Sequence, residues 1–176
     1  LIFISDIRKN KIKYLPLNTQ STILVPVYNE KSDMLTLCVD SLCKLSGNNE
    51  IILIDDKSTN DSWKRLEELK NKFPQIKIVK LIENRGKRQV QYTGLHLSHG
   101  DFIVTVDSDT ILERDAVVKL LAPFRDERVG ATTGNVRAFN REYNLLTKMI
   151  DARYKNAFTF ERQGLSAFGI VTCCSG

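Results

Sequence analysis

From Ser21 onward, short runs of β-branched and aliphatic residues alternate with stretches in which apolar residues recur every three or four positions. That alternation predicts an α/β fold, a parallel sheet covered by helices. The runs Thr22–Val27 (TILVPV), Ile51–Ile54 (IILI), Ile76–Ile82 (IKIVKLI) and Phe102–Val106 (FIVTV) are nearly continuous in apolar residues, as parallel strands buried on both faces should be. Between them, Leu35, Cys38, Val39 and Leu42 predict a helix over Ser32–Leu45, and Trp63, Leu66 and Leu69 predict another over Ser62–Phe73. Ser32 and either Asn60 or Asp61 are candidate N-caps. A third helix, over Arg88–Leu97, is expected to end at His99-Gly100, where glycine suits a C-cap and both His96 and His99 are expected at the surface. Downstream, the pattern predicts a helix over Asp115–Phe124, a strand over Val129–Val136, a long amphipathic helix over Asn144–Gln163 and a strand over Ile170–Cys174. This second half is expected to complete the sheet and begin an acceptor side.

Length and composition fit that picture. The 176 residues suit one domain, read as 21–176 behind a basic arm at 1–20, and 42% hydrophobic residues with only 4 Pro exclude a disordered or fibrous chain. The net charge of +5 is unevenly placed: Arg8, Lys9, Lys11 and Lys13 face Asp6 alone. Little excess is left for a nucleic-acid-binding face, so no nucleic-acid partner is expected. The basic cluster follows Leu1-Ile2-Phe3-Ile4, an order that suits either a segment leaving a membrane on its cytoplasmic side or a solvated arm. No run approaches the ~20 apolar residues of a membrane span. The first residue is Leu and the last are Cys-Cys-Ser-Gly. We therefore expect a soluble piece of a longer protein anchored at the cytoplasmic face of a membrane. Cys38, Cys43, Cys173 and Cys174 lack zinc-site spacing and are expected as reduced thiols, the first two in the core.

Ligands of open parallel sheets bind beyond the carboxyl ends of the strands. Those ends are acidic and polar here: Tyr28-Asn29-Glu30, Asp55-Asp56-Lys57-Ser58, Glu83-Asn84-Arg85-Gly86-Lys87-Arg88 and Asp107-Ser108-Asp109. Neither G-x-G-x-x-G nor a P-loop occurs, which argues against dehydrogenase and NTPase chemistry. Without a glycine-rich cradle, a diphosphate needs a cation held by hard oxygen ligands, Mg²⁺ or Mn²⁺. Asp107 and Asp109, two apart where a strand breaks into a turn, can converge on such a site. A lone D-x-D is more often than not a solvated turn. Its position, opposite the acidic pair Asp55-Asp56, gives it weight, and that pair needs hydrogen-bond donors if it sits in a crevice. Lys87 and Arg88 open a helix, where a cation and free N–H groups favour phosphate.

In this order, VPVYNE, IDDKSTND, NRGKRQV and VTVDSDT resemble the family 2 glycosyltransferases of GT-A fold. GKRQVQYTG, TGNVRAFN and TCCSG are most similar to hyaluronan, chitin and nodulation chitooligosaccharide synthases. The resemblance runs over about Ser21 to Gly176. It implies a donor site for a UDP-sugar, UDP-N-acetylglucosamine first, with Pro26, Tyr28, Glu30, Asp55, Asp56, Lys87, Asp107 and Ser108 around the nucleotide and diphosphate. Tyr28, Glu30, Asp55 and Asp56 would hold uracil and ribose, and Lys87 the diphosphate. Asp107 and Asp109 would be the catalytic pair, Asp107 near the ribose and sugar and Asp109 as the ligand of the divalent cation. It implies inverting transfer to a hydroxyl of a glycan acceptor, a part for Asn135 and Arg137 near that acceptor, and a general base in a motif that this chain does not contain. The isolated chain is thus expected to bind donor and metal and to transfer sugar poorly. The alternatives are a nucleotidyltransferase, whose first loop is usually glycine-rich, and a non-catalytic sugar-nucleotide-binding domain.

Overall fold

Four parallel strands form where the apolar runs predict them: β1 (Gln20–Val27), β2 (Asn48–Asp55), β3 (Ile76–Lys80) and β4 (Phe102–Thr105). The computed structural model describes residues 19–168. The chain divides into two compact units at the step from Leu121 to Ala122.

In the first unit the sheet has the order β3-β2-β1-β4. β1 pairs with β2 from Gln20↔Asn48 to Val27↔Asp55, and with β4 from Ser21↔Phe102 to Leu24↔Thr105. Ile23, Leu24, Val25, Val27 and Ile51 to Ile54 are buried, each aliphatic side chain contributing on the order of 2 kcal/mol of transfer free energy. The expectation of burial on both faces thus holds for the two central strands. The flanking strands are less covered: in β4 only Val104 is buried. β3 stops short of Ile82, because its partner β2 ends at Asp55; Leu81 N–H still donates to Asp55 O, and Ile82 is left 87% exposed.

Three helices cross between the strands: α1 (Ser32–Leu42), α2 (Ser62–Lys72) and α3 (Lys87–Leu97). One expected cap is corrected and the other stands. Ser32 is the first helical residue, and Lys31 holds the cap position without a side-chain bond. Asp61 sits at the cap of α2 but makes no capping bond, whereas Asn60 Oδ1 accepts from the Ser62 N–H and Oγ–H. Gly100 does not cap α3, which ends at Ser98. It is glycine because a Cβ there would lie 2.5 Å from the Thr22 backbone nitrogen. Val90 packs with Leu24, Ile52 and Ile54, and Gly94 lets the helix approach to where a Cβ would be 2.9 Å from Leu24. Cys38 is buried and Cys43 half-buried at the end of α1, both free thiols, and the two histidines are exposed. The last helix of this unit, α4 (Ala116–Leu121), is shorter than expected. It tightens into a 3₁₀ turn over Ala122–Arg125, where Pro123 has no N–H to continue an α-helix.

In the second unit the expected strand Val129–Val136 is absent; those residues carry no regular structure. Gly130 and Gly134 dilute the run, and the polar residues between them leave no alternating face to pack. Among the described residues no strand follows β4, so the second half does not extend the sheet there. The expected long helix is broken into α5 (Leu145–Lys155), a π-helical turn over Asn156–Glu161 and α6 (Arg162–Ala167). Asn144 and Thr147 form a reciprocal capping box at the start of α5. The basic arm before residue 19 and the expected strand Ile170–Cys174 lie outside the described residues. Among those described, no helix is long and apolar enough to cross a membrane.

Candidate functional site

From β1 the chain moves to β2 and β3 on one side and then returns to place β4 on the other. The carboxyl ends of β1 and β4 therefore flank a topological switch point, where open sheets leave a crevice. A cleft of ≈420 Å³ lies there. The end of β1 contributes Pro26, Tyr28 and Glu30, β2 contributes Asp56, the loop into α3 contributes Asn84, Gly86 and Lys87, and the end of β4 contributes Asp107, Ser108 and Asp109.

Each wall has a local cause. Leu24 O accepts from Val106 N–H, but β4 pairing stops there, so the missing N–H of Pro26 two residues later leaves no ladder bond unmade. Asn29 turns the chain at φ 52°, a left-handed conformation that asparagine tolerates. Its Oδ1 accepts from the N–H groups of Thr59 and Asn60, and its own N–H donates to Ser58 Oγ, which ties the loop after β1 to the loop after β2. Glu30 is thereby held at the cleft, where its Oε2 accepts from Ser108 Oγ at 2.8 Å. The Tyr28 ring stands 52% exposed at the mouth.

Asp55 and Asp56 differ. Asp56 Oδ1 accepts from Arg85 N–H and Oδ2 from Gly86 N–H, both at 2.8 Å, so this carboxylate builds the turn that presents Lys87. Asp55 does not line the cleft. It is fully buried, its Oδ2 accepts from Ser58 N–H, and its Oδ1 has no hydrogen-bond partner among the described residues. An unpaired buried carboxylate oxygen is costly unless a ligand donor meets it.

Asp107 to Thr110 form a tight turn closed by Thr110 N–H to Asp107 O, which carries Asp107, Ser108 and exposed Asp109 into the cleft. Across it, Lys87 Nζ lies 2.6 Å from Asp107 Oδ1, both side chains 46% exposed. Behind the turn, Cys38 Sγ faces Asp107 O at 3.8 Å. Burial, then the negative charges of Asp109 and Glu30, push its thiol up to about 12, so it stays protonated and unreactive. The oxygen ligands of Asp107 and Asp109 are of the kind that Mg²⁺ and Mn²⁺ prefer. The described residues include no group of three His, Cys, Asp or Glu that could hold a metal.

Of the residues expected at a donor site, Pro26, Tyr28, Glu30, Asp56, Lys87, Asp107, Ser108 and Asp109 meet around one cleft, with Asp55 behind it. Asn29, Asn84 and Gly86 were legible only as members of the motifs, without roles. Asn84 Nδ2 donates to Asp56 O. Arg137, expected near an acceptor, is engaged by Asp151 through both carboxylate oxygens, and Ala138 N–H joins them. The Arg137 bonds bring the Asp151 carboxyl down to about 2.

A crevice at the switch point of a parallel sheet, with an acidic turn on one wall and a lysine opposite, is an arrangement of the GT-A fold. The sequence profile of Glycosyl transferase family 2 matches residues 22–176, and the chain belongs to that family. It is 36% identical over 176 residues to an N-acetylglucosaminyltransferase of Azorhizobium caulinodans, covering 98% of this chain and 44% of that one. It is 38% identical over 159 residues to a hyaluronan synthase of Streptococcus pyogenes, covering 87% of this chain and 38% of the relative. The chain thus spans less than half the length of these relatives. Among solved structures, the mannosyltransferase PcManGT of Pyrobaculum calidifontis, in complex with GDP-Man and Mn²⁺, shares the fold at TM-score 0.64 and 22% identity over 82% of this chain and 44% of its own. TarS 1–349 of S. aureus, in complex with UDP-GlcNAc, aligns at TM-score 0.52 and 29% identity over 62% of this chain and 32% of its own.

Proposed function

We propose that the cleft binds a UDP-sugar, UDP-N-acetylglucosamine first, together with Mg²⁺ or Mn²⁺, as the donor site of an inverting transferase acting on a hydroxyl of a glycan acceptor. The observation that carries this reading is the meeting of Tyr28, Glu30, Lys87, Asp107 and Asp109 around one cleft at the switch point. The N-acetylglucosaminyltransferase relative and the UDP-GlcNAc complex of TarS support the choice of donor. Family membership favours glycosyl over nucleotidyl transfer.

In this reading the exposed Tyr28 ring stacks on the uracil, and the Oδ1 of Asp55, buried behind the cleft, accepts from a base N–H once the arriving donor uncovers it. Ribose hydroxyls meet Glu30, Asp56 and Ser108. Lys87 and the free N–H groups at the start of α3 face the diphosphate. Asp109, with Asp107 beside it, holds the cation, which when bound neutralises the charge that develops on the departing diphosphate. The basic cluster after Leu1-Ile2-Phe3-Ile4 and the free thiols of Cys38 and Cys43 support a full-length protein at the cytoplasmic face of a membrane.

The test is calorimetry of UDP-N-acetylglucosamine with and without Mn²⁺. Binding that Mn²⁺ strengthens, and that Asp109→Ala weakens about ten-fold or more through the lost metal contribution, is the expected result. An Asp109→Ala protein that binds as the parent does in the presence of Mn²⁺ would remove the metal role from this turn.

A further inference from the structure

The two groups assigned to opposite partners of the donor complex are bonded to each other in the free protein. Lys87 Nζ, proposed above to meet phosphate, lies 2.6 Å from Asp107 Oδ1, proposed above to stand beside the cation. Lys87 opens α3 and Asp107 follows β4, and both line the same cleft, so their bond spans the space that diphosphate and cation would share. Neither has another ion-pair partner among the described residues: Arg85 on the α3 side is taken by Glu83, and Glu30 and Ser108 bond each other.

We propose that the Lys87–Asp107 pair is a latch that couples nucleotide and cation binding. The inference rests on the donor-site reading above and adds what the free site does. A diphosphate arriving alone draws Lys87 away and leaves the Asp107 carboxylate bare beside phosphate. A cation arriving alone draws Asp107 away and leaves the lysine ammonium facing a like charge. Whichever binds first breaks the pair, and the second finds its partner already released, which is positive coupling between the two ligands. The site accordingly favours the cation–nucleotide complex over either component and discriminates against a nucleotide that carries no divalent cation.

Removing Asp107 would strengthen metal-free nucleotide binding even without a latch, because it also removes a repulsion from phosphate. A double-mutant cycle cancels that contribution. UDP-N-acetylglucosamine is titrated calorimetrically, without metal, into the parent protein, Lys87→Met, Asp107→Asn and the double variant. All four should fold alike, since both side chains are about half exposed. With the latch, Lys87→Met loses about three- to five-fold more affinity in the Asp107→Asn background than in the parent, the range expected of a half-exposed ion pair. Equal losses in the two backgrounds overturn the latch and leave the donor site standing. A parent protein that binds UDP-N-acetylglucosamine neither with nor without Mn²⁺ overturns the donor-site reading and the latch together.

Discussion

Asp56 has both carboxylate oxygens occupied by backbone donors from residues about thirty positions away, Arg85 and Gly86. Its neighbour Asp55 keeps one oxygen without a partner among the described residues. The strand-end rule selects both residues from the sequence, because both follow an apolar run. It cannot divide their duties, because the partners of Asp56 come from the far side of the crossover between β2 and β3. We expect Asp56→Ala to leave two N–H groups of the Lys87 turn unpaired and to destabilise the fold by about 1–3 kcal/mol in urea unfolding. Asp55→Asn should instead leave stability nearly unchanged and weaken UDP binding about ten-fold, since its amide offers a donor where the base N–H needs an acceptor. Equal stability losses in both variants would remove the distinction. Lys57 has the rarer backbone state, φ 58° without the side-chain excuse of asparagine, in the loop that Asn29 ties down.

At the scale of elements, burial sets what the sequence reveals. β1, β2 and the first three helices are found where the pattern puts them, with ends off by up to three residues, because a face packed against the sheet leaves a periodicity. The expected strand Val129–Val136 fails because its two glycines and threonines bury no face, and the expected cap at Ser32 fails because Lys31 holds that position by backbone geometry alone. Gly100 is the informative error. Glycine after a helix reads as a C-cap, yet here it is the point where the loop before β4 presses on β1, with Gly100 N–H donating to Thr22 Oγ1. A methyl group would meet backbone and not a yielding side chain, so Gly100→Ala should destabilise by about 2–3 kcal/mol. An unchanged melting temperature would contradict that. Asn144→Ala removes the capping box of α5 in the second unit and should cost about 1 kcal/mol of local stability, read as faster amide exchange in the first turn of α5 and no change in β1.

At the scale of the sheet unit, stability and function lie at opposite ends. The carboxyl end gathers the groups of the proposed donor site: the buried, unpartnered Asp55 oxygen, exposed Asp109 and the Lys87–Asp107 pair. Near the amino end of β2, some five residues or about 16 Å before Asp55, Glu50 is satisfied by everything around it. It accepts from Thr22 Oγ1 of β1, Lys77 Nζ of β3 and His99 N–H before β4, and its side chain is 8% exposed. Burial alone would raise its carboxyl, but the bonds from Lys77, Thr22 and His99 outweigh burial and bring it down to about 2. A carboxyl depressed in the folded state contributes stability above its ordinary value near 4.5 and loses it as pH falls towards about 2. Glu50→Gln should therefore lower stability by about 2 kcal/mol at pH 7 and flatten the acid limb between those values. The limb should not vanish, because Asp126 and Asp151, also held near 2 by Arg128 and Arg137, still contribute. Donor affinity should be untouched, since nothing in the cleft bonds to Glu50. The opposite result, weaker UDP binding with an unaltered acid limb, would mean that the two ends of the sheet are not separable, and that the open charges at the carboxyl end are set by the closed network at the other.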